Sequence, residues 1–364
     1  MKRLILSFLL VSTLHAWASF GYYSPVDVNT GQVPSTQTDF PMLINLTDAR
    51  FKTTGNGGHV QHSSGFDIRP YSDTGLTTAL TYELERYNAS SGEVVMWVKI
   101  ASLSDSTVVY LAYGDAGISA DGSDGANTFS NNFVEVYHLK NGTTLSGVDS
   151  VHNAAPYNMG TAPTPTPGQI DGGAKTDSTH TANDSGFTWP ANAISLSCWA
   201  NGSAFGSSYN TVASRMFGTY TEFVILAVKS TGKLRYVLTA TTTRDCDGSG
   251  SATLSTGTWY HLAITYDSSA GMKGYVNGGA ADCSVAANGN YAHANGQTGG
   301  IGLDNAGSLY FTGTVDEVRW SSVARSQDWN TTEYNSGISS SFETLGTEVT
   351  VAASATGNFF MLFP

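Results

Sequence analysis

An all-β chain of two tandem β-sandwich domains is what this sequence predicts, and three observations predict it. Apolar residues recur with period two over strand-sized lengths, and after the first 18 residues no long helical stripe occurs. The composition is turn-rich and aromatic-rich, with 40 Gly, 18 Tyr and 16 Phe but only 13% charged residues. At 364 residues the chain can bury two cores, and its composition shifts to Gly, Ala, Ser and Asp between Asp115 and Thr128.

The chain opens with MKR, an apolar run LILSFLLVSTL, and a small-x-small step at Ala16-Trp17-Ala18. That is the layout of a secretory signal peptide over residues 1–18, with an apolar run too short to span a bilayer as a helix. Cleavage near Ser19 removes Lys2 and Arg3, so 17 basic residues become 15 against 29 acids, a net charge near −14. An acidic chain without a basic stripe lacks the Lys and Arg clusters that release counterions from nucleic acid. The expected setting is secreted or cell-surface, with the periplasm as the alternative.

From residue 19, the first domain shows its strands at PMLINLTD, GEVVMWVKI and STVVYLAYGD, each bounded by turn residues. Val94, Met96 and Val98 share one face of the middle strand, and Val95, Trp97 and Lys99 the other. A second block opens at NFVEVYHLKNG and continues through ISLSCWANG, EFVILAVKSTGKLRYVLTA, WYHLAITYD and KGYVNGG. The STGK step between two β-rich runs reads as a hairpin turn. TAPTPTPG reads as a stiff Pro-rich linker or as a long loop inside the second domain.

Export makes the three cysteines readable, since an oxidising compartment allows one bridge and one leftover thiol. Cys198 sits in an alternating apolar strand and reads as a buried thiol. Cys246 and Cys283 lie in polar, loop-like surroundings and are the expected pair; the alternative is three unpaired small hydrophobes.

Several of these stretches also carry a resemblance. VEVYHL, the Gly172–Ala174 GGA, SLSCWA, TWYHLAITYD, GYVNGG and FTGTVDEVRWSSVARSQDW resemble the laminin-G-like, concanavalin A-like jelly-roll domains of bacterial surface proteins. The pattern Trp-x-His-x-Ala-x-x-Tyr-Asp from Trp259 and the closing Gly-x-Val-Asp-Glu-Val from Gly313 are its most specific parts. TDFPMLINLTD, GFDIRPYSDTG, LTYELERYN, VVMWVKI and VYLAYGD are similar, in order, to a domain-of-unknown-function family that often precedes such a jelly roll. The resemblance implies boundaries at 19–131 for the first domain and 132–347 for the jelly roll, with 348–364 as a short apolar tail. It also implies glycan or protein binding, often with calcium.

Within the closing strand, strict alternation puts Asp316 with Val318 and Trp320, unless a bulge turns it outward. A carboxylate on a buried face needs hydrogen bonds, a cation or a metal. Asp316 and Glu317 therefore read as struts, with a calcium site or a catalytic pair as alternatives. Calcium is expected, if anywhere, at Asp304, Asn305 and Asp316; Asp245, Asp247, Asp121 and Asp124 offer similar turn oxygens. No catalytic residue is assigned: the one-strand acid pattern of sandwich glucanases is missing, as are H-E-x-x-H and G-x-S-x-G. Glu83 and Glu85 share a strand face and read as a solvated pair. His59 and His62 read as surface residues and His261 as a packed core histidine. Tyr209 and Tyr220, in Gly/Ser-rich surroundings, are the candidate ligand-binding aromatics for stacking on sugars.

The function expected from all this is recognition of a glycan or a cell-surface or envelope partner. The alternatives are a polysaccharide-active enzyme and a structural component of an envelope, appendage or virion.

Overall fold

The computed structural model describes residues 19–352, apart from 141–144, 153–163, 178–181, 184–191, 207, 218–221, 240–242, 288, 291–298, 304–308 and 339–340. The residues 1–18 and the apolar end Phe359–Pro364 thus lie outside it.

The first domain begins with β1 (Tyr22–Val28), β2 (Gln37–Thr47), β3 (Arg69–Tyr71), β4 (Tyr82–Asn88), β5 (Glu93–Leu103) and β6 (Val108–Tyr113). A single helical turn, α1 (Gly125–Thr128), follows, with Asp124 capping it through the Asn127 amide. β2, β5 and β4 form one antiparallel sheet, while β1, β6 and β3 form the other. The middle strand β5 is buried on both faces, because Val94, Val95, Met96, Trp97 and Val98 are all covered. A strand with only one core to serve would alternate; β5 also meets a second body.

That body is the jelly roll. Its strands are β7 (Phe133–Tyr137), β8 (Thr164–Pro167), β9 (Gly172–Thr176), β10 (Ala182–Asn183), β11 (Ala193–Ala204), β12 (Tyr209–Phe217) and β13 (Glu222–Lys229). They continue as β14 (Leu234–Thr239), β15 (Thr243–Asp247), β16 (Tyr260–Asp267), β17 (Gly271–Val276), β18 (Cys283–Val285), β19 (Gly299–Ile301) and β20 (Thr312–Ser321). The sheet β18-β17-β16-β11-β20-β9-β8, with β7 also on β20, packs over β10-β19-β12-β13-β14-β15. Leu196, Cys198, Leu226, Tyr236, Leu262, Ile264, Val318 and Trp320 fill the space between them.

The STGK step is the hairpin turn from β13 to β14, with Gly232 at φ +77° and its amide on the Lys229 carbonyl. The Pro-rich stretch, by contrast, is not wholly a loop: β8 pairs with β9 as the last strand of its sheet. An edge position tolerates Pro165 and Pro167, because an outward-facing backbone needs no N–H. Cys246 of β15 and Cys283 of β18 are bonded, joining the edge strand of one sheet to the edge strand of the other. Cys198 is free and buried.

After β20 the chain forms α2 (Gln327–Ile338), which no apolar stripe announces. Ser326 starts it by accepting from the Trp329 amide, and Trp329, Asn330, Thr332, Glu333 and Ser336 are buried. The chain then returns to the first domain, as β21 (Glu343–Leu345) and β22 (Val349–Thr350) both pair with β1. Residues that the sequence groups with the jelly roll and its tail therefore complete the first domain's sheet, and Phe342 sits fully buried in its core. The same apolar cluster runs on through Trp199, Phe133, Ile170 and Trp329, so the junction is a packed core.

Candidate functional site

The bulge that the closing strand could contain is present. Ser197 pairs with Arg319 but Trp199 pairs with Asp316, so β20 carries one residue more than β11 opposite. The extra residue is Glu317, at φ +50°. Val315, Val318 and Trp320 stay in the jelly-roll core. Asp316, Glu317 and Arg319 leave it and enter the junction with the first domain. Left-handed backbone at a non-glycine costs about 1 kcal/mol or more and persists where the surroundings hold it. Here the holding groups are the side chains that Glu317 meets.

Those side chains come from both domains. Glu83 and Glu85 project from β4, and His138 follows the end of β7, where Leu139 turns the chain at φ +55°. His138 Nδ1 lies 2.9 and 3.0 Å from the two Glu317 oxygens and 3.5 Å from Glu85 Oε2. Its Nε2 faces Glu83 Oε2 at 3.4 Å. Arg319 donates to Glu317 Oε2 at 2.7 Å and to Glu333 Oε1 at 3.1 Å, and lies 4.1 Å over the Trp97 ring. Trp97 donates to Glu85 Oε2 at 2.7 Å and stacks on His138, and Ser150 donates to Glu83 Oε1 at 3.0 Å. Arg86 of β4 also pairs with Asp171 across the junction.

Electrostatics separate these groups. Burial disfavours the His138 imidazolium, yet Glu317, Glu85 and Glu83 outweigh it and hold its pKa well above 6.5. Glu85 goes the other way, because burial pushes its carboxyl up despite His138. For Glu317, His138 and Arg319 overcome burial and leave it below the usual carboxylate range. Burial, with Glu317 beside it, raises Asp316. His261 packs against Trp199 with its Nε2 3.7 Å from Glu333, and burial lowers its pKa to about 4.

The buried state of Glu83 and Glu85 corrects the expectation of a solvated pair, since their side chains are only 12% and 0% exposed. The jelly roll covers that strand face, a fact that no local pattern in YELERY encodes. Asp316 has the strut geometry: its Oδ2 accepts from the Gln169 and Ile170 amides, both at 2.9 Å. Asp304, Asn305 and Tyr220 lie outside the described residues. Among the described residues, one group of three His, Cys, Asp or Glu side chains is close enough to share an ion, and it is Glu85, His138 and Glu317 rather than Asp316. His138 was missed as a site residue; its Tyr-His-Leu context reads as the end of a strand, and its partners are 55 and 179 residues away.

Two features face solvent on the jelly roll. Half-buried Tyr209, on the outer face of the six-stranded sheet, donates to Asp247 at 3.0 Å, with the Arg235 guanidinium 4.4 Å over its ring. Lys229 pairs with Asp247 and Arg235 with Asp245 across the same face. An open groove of about 330 Å³ lies between β16–β17 and the start of α2, lined by Thr265, Asp267, Lys273, Arg325 and Gln327 among others. His59 stacks on Tyr22 and pairs with Glu348, and His62 stacks on Phe66, both only partly exposed.

Two stretches of the chain match family models. Residues 171–329 match the Concanavalin A-like lectin/glucanases superfamily, and residues 64–144 match a domain of unknown function (DUF2341). No curated protein matches the chain. Among solved structures, domain 4 of AbnA, a GH43 extracellular arabinanase from Geobacillus stearothermophilus, in complex with arabinotriose, is 19% identical. The alignment covers 56% of this chain and 98% of that one, with a TM-score of 0.47. The binding domain of botulinum neurotoxin serotype G is 13% identical over 56% of this chain and 50% of that one, with a TM-score of 0.45. The binding domain of Paraclostridial Mosquitocidal Protein 1 is 14% identical over 56% and 52%, with a TM-score of 0.45. This chain spans about half the length of the two toxin domains. Among the described residues no helix is long and apolar enough to cross a membrane.

Proposed function

We propose that this tandem of a DUF2341 domain and a concanavalin A-like domain is a secreted, non-catalytic recognition protein that binds a glycan or a glycosylated surface partner. The observation that carries the reading is where the acids went. The part of the eight-stranded sheet's outer face around β11 and β20 is covered by α2 and the first domain, and Glu85, His138 and Glu317 are buried beneath that cover. A glycosidase also sets one carboxyl high and one low, as Glu85 and Glu317 are set, but its two acids flank a cleft that admits a sugar chain. Here the side chains of Glu85 and Glu317 are 0% and 2% exposed, which supports a non-catalytic role for this pair.

Recognition then falls to the surfaces that remain. The outer face around Tyr209 combines an aromatic ring with Arg235, Lys229, Asp245 and Asp247, the mixture of flat and hydrogen-bonding groups that sugars engage. The Cys246–Cys283 bond holds the edge beside this face and suits an oxidising, extracytoplasmic setting.

A glycan-array screen of residues 19–364, run in calcium and again in EDTA, tests the reading. Binding that Tyr209→Ala weakens at least tenfold, while Lys273→Ala in the groove leaves it intact, supports it. Binding abolished by EDTA and restored by added calcium adds a calcium dependence to the reading. Absence of binding in both conditions, or hydrolysis of any bound glycan, sinks it.

A further inference from the structure

We infer that the domain junction binds one divalent transition cation of the zinc class, ligated by His138 Nδ1 and the carboxylates of Glu85 and Glu317. The three ligand atoms lie within 4.8 Å of one another. His138 Nδ1 is 2.9 Å from Glu317 Oε1 and 3.5 Å from Glu85 Oε2. A tetrahedral ion with bonds of 2.0–2.2 Å sets its ligands about 3.4 Å apart, close to the two separations from His138 Nδ1.

The surrounding groups suit the same role. A metal-bound imidazole hands its other N–H to a carboxylate, and Glu83 Oε2 stands 3.4 Å from His138 Nε2. Glu83 is itself steadied by Ser150, Glu85 Oε2 by Trp97, and Glu317 Oε2 by Arg319. These hydrogen bonds orient all three ligands before any ion arrives.

An independent observation points to a missing cation. Glu85 Oε1 is buried without a hydrogen-bond partner, on a carboxylate turned toward His138 and the Glu317 pair. A buried carboxylate oxygen without a partner is costly, and a cation bound to it relieves that cost. One imidazole with carboxylates suits zinc or a neighbouring transition metal, whereas calcium prefers six to eight oxygens. With Glu85 on β4 and Glu317 on β20, the ion would tie the first domain to the jelly roll.

The test is the metal content of the full chain, measured by inductively coupled plasma mass spectrometry. The protein is purified without chelators, and separately refolded from guanidinium with zinc chloride or calcium chloride and gel-filtered. Expected is one zinc per chain by either route and no retained calcium. His138→Gln and Glu85→Gln should reduce zinc to under about a tenth of an equivalent, with far-UV circular dichroism unchanged. Glu83→Gln, which removes no ligand, should weaken zinc binding roughly 10–100-fold. It decides the matter if the other two variants do not fold. A wild-type chain that holds no zinc by either route overturns the inference, as does zinc retention unaltered in every variant that folds.

Discussion

Glu343 offers a sharp test of how the returning chain end is held. It lies on β21 opposite Val28, with Oε1 accepting from the Asn45 amide at 3.0 Å and Oε2 buried without a partner. Burial pushes its pKa up from 4.5 to about 8. The folded chain thus keeps a proton that the unfolded chain releases above about 4.5. Stability from this group is complete below that pH, falls as pH rises toward 8, and is level beyond. At pH 7 the penalty is about 1.4 kcal/mol for each of about 2.5 pH units, or roughly 3 kcal/mol. Glu343→Gln keeps the acceptor for Asn45 and removes the titration, while its new buried N–H₂ costs about 1 kcal/mol. The variant should therefore be about 2 kcal/mol more stable than wild type at pH 7 and about 1 kcal/mol less stable at pH 4. Urea unfolding followed by tryptophan fluorescence at both pH values measures the difference. A variant with the same offset at pH 4 and pH 7 would refute the reasoning, since only a titrating group can reverse the sign.

Three further outcomes follow from the packing. Phe342→Ala, at a fully buried site, should cost about 3–5 kcal/mol and speed hydrogen exchange in β1 and β6 while β12–β14 stay protected. Replacing Cys246 and Cys283 together by Ser opens a loop of 37 residues and should cost up to roughly 4 kcal/mol in denaturant unfolding. At Gly337, a Cβ would lie 2.7 Å from Trp199 Cζ2, so Gly337→Ala should destabilise by about 1–3 kcal/mol and shift the tryptophan emission; unchanged emission and stability would show that α2 gives way freely.

Much of this molecule was legible in its residues taken in order. Period-two runs such as YHLAITYD encode strands because side chains alternate across a pleated sheet, and β16 puts Leu262, Ile264 and Tyr266 into the core as the pattern requires. The STGK turn, the Cys246–Cys283 pair and the buried His261 were legible too, each resting on a residue's own chemistry or near neighbours. Tertiary structure decided the rest, and always where the partner was remote. The bulge at Glu317 is set by what its side chain meets rather than by a glycine in the strand. α2 is polar along its length and is held by Trp199, Arg319 and β2, so no hydrophobic period marks it. Glu83 and Glu85 look like a wet strand face until another domain closes over them. The pairing of β21 with β1 joins residues more than 300 apart, and a backbone hydrogen bond leaves no trace in side-chain order. Sequence alone thus set which residues form strands and turns. The fold's long-range closure set which of them are buried together, and so where a charge, a metal or a sugar could act.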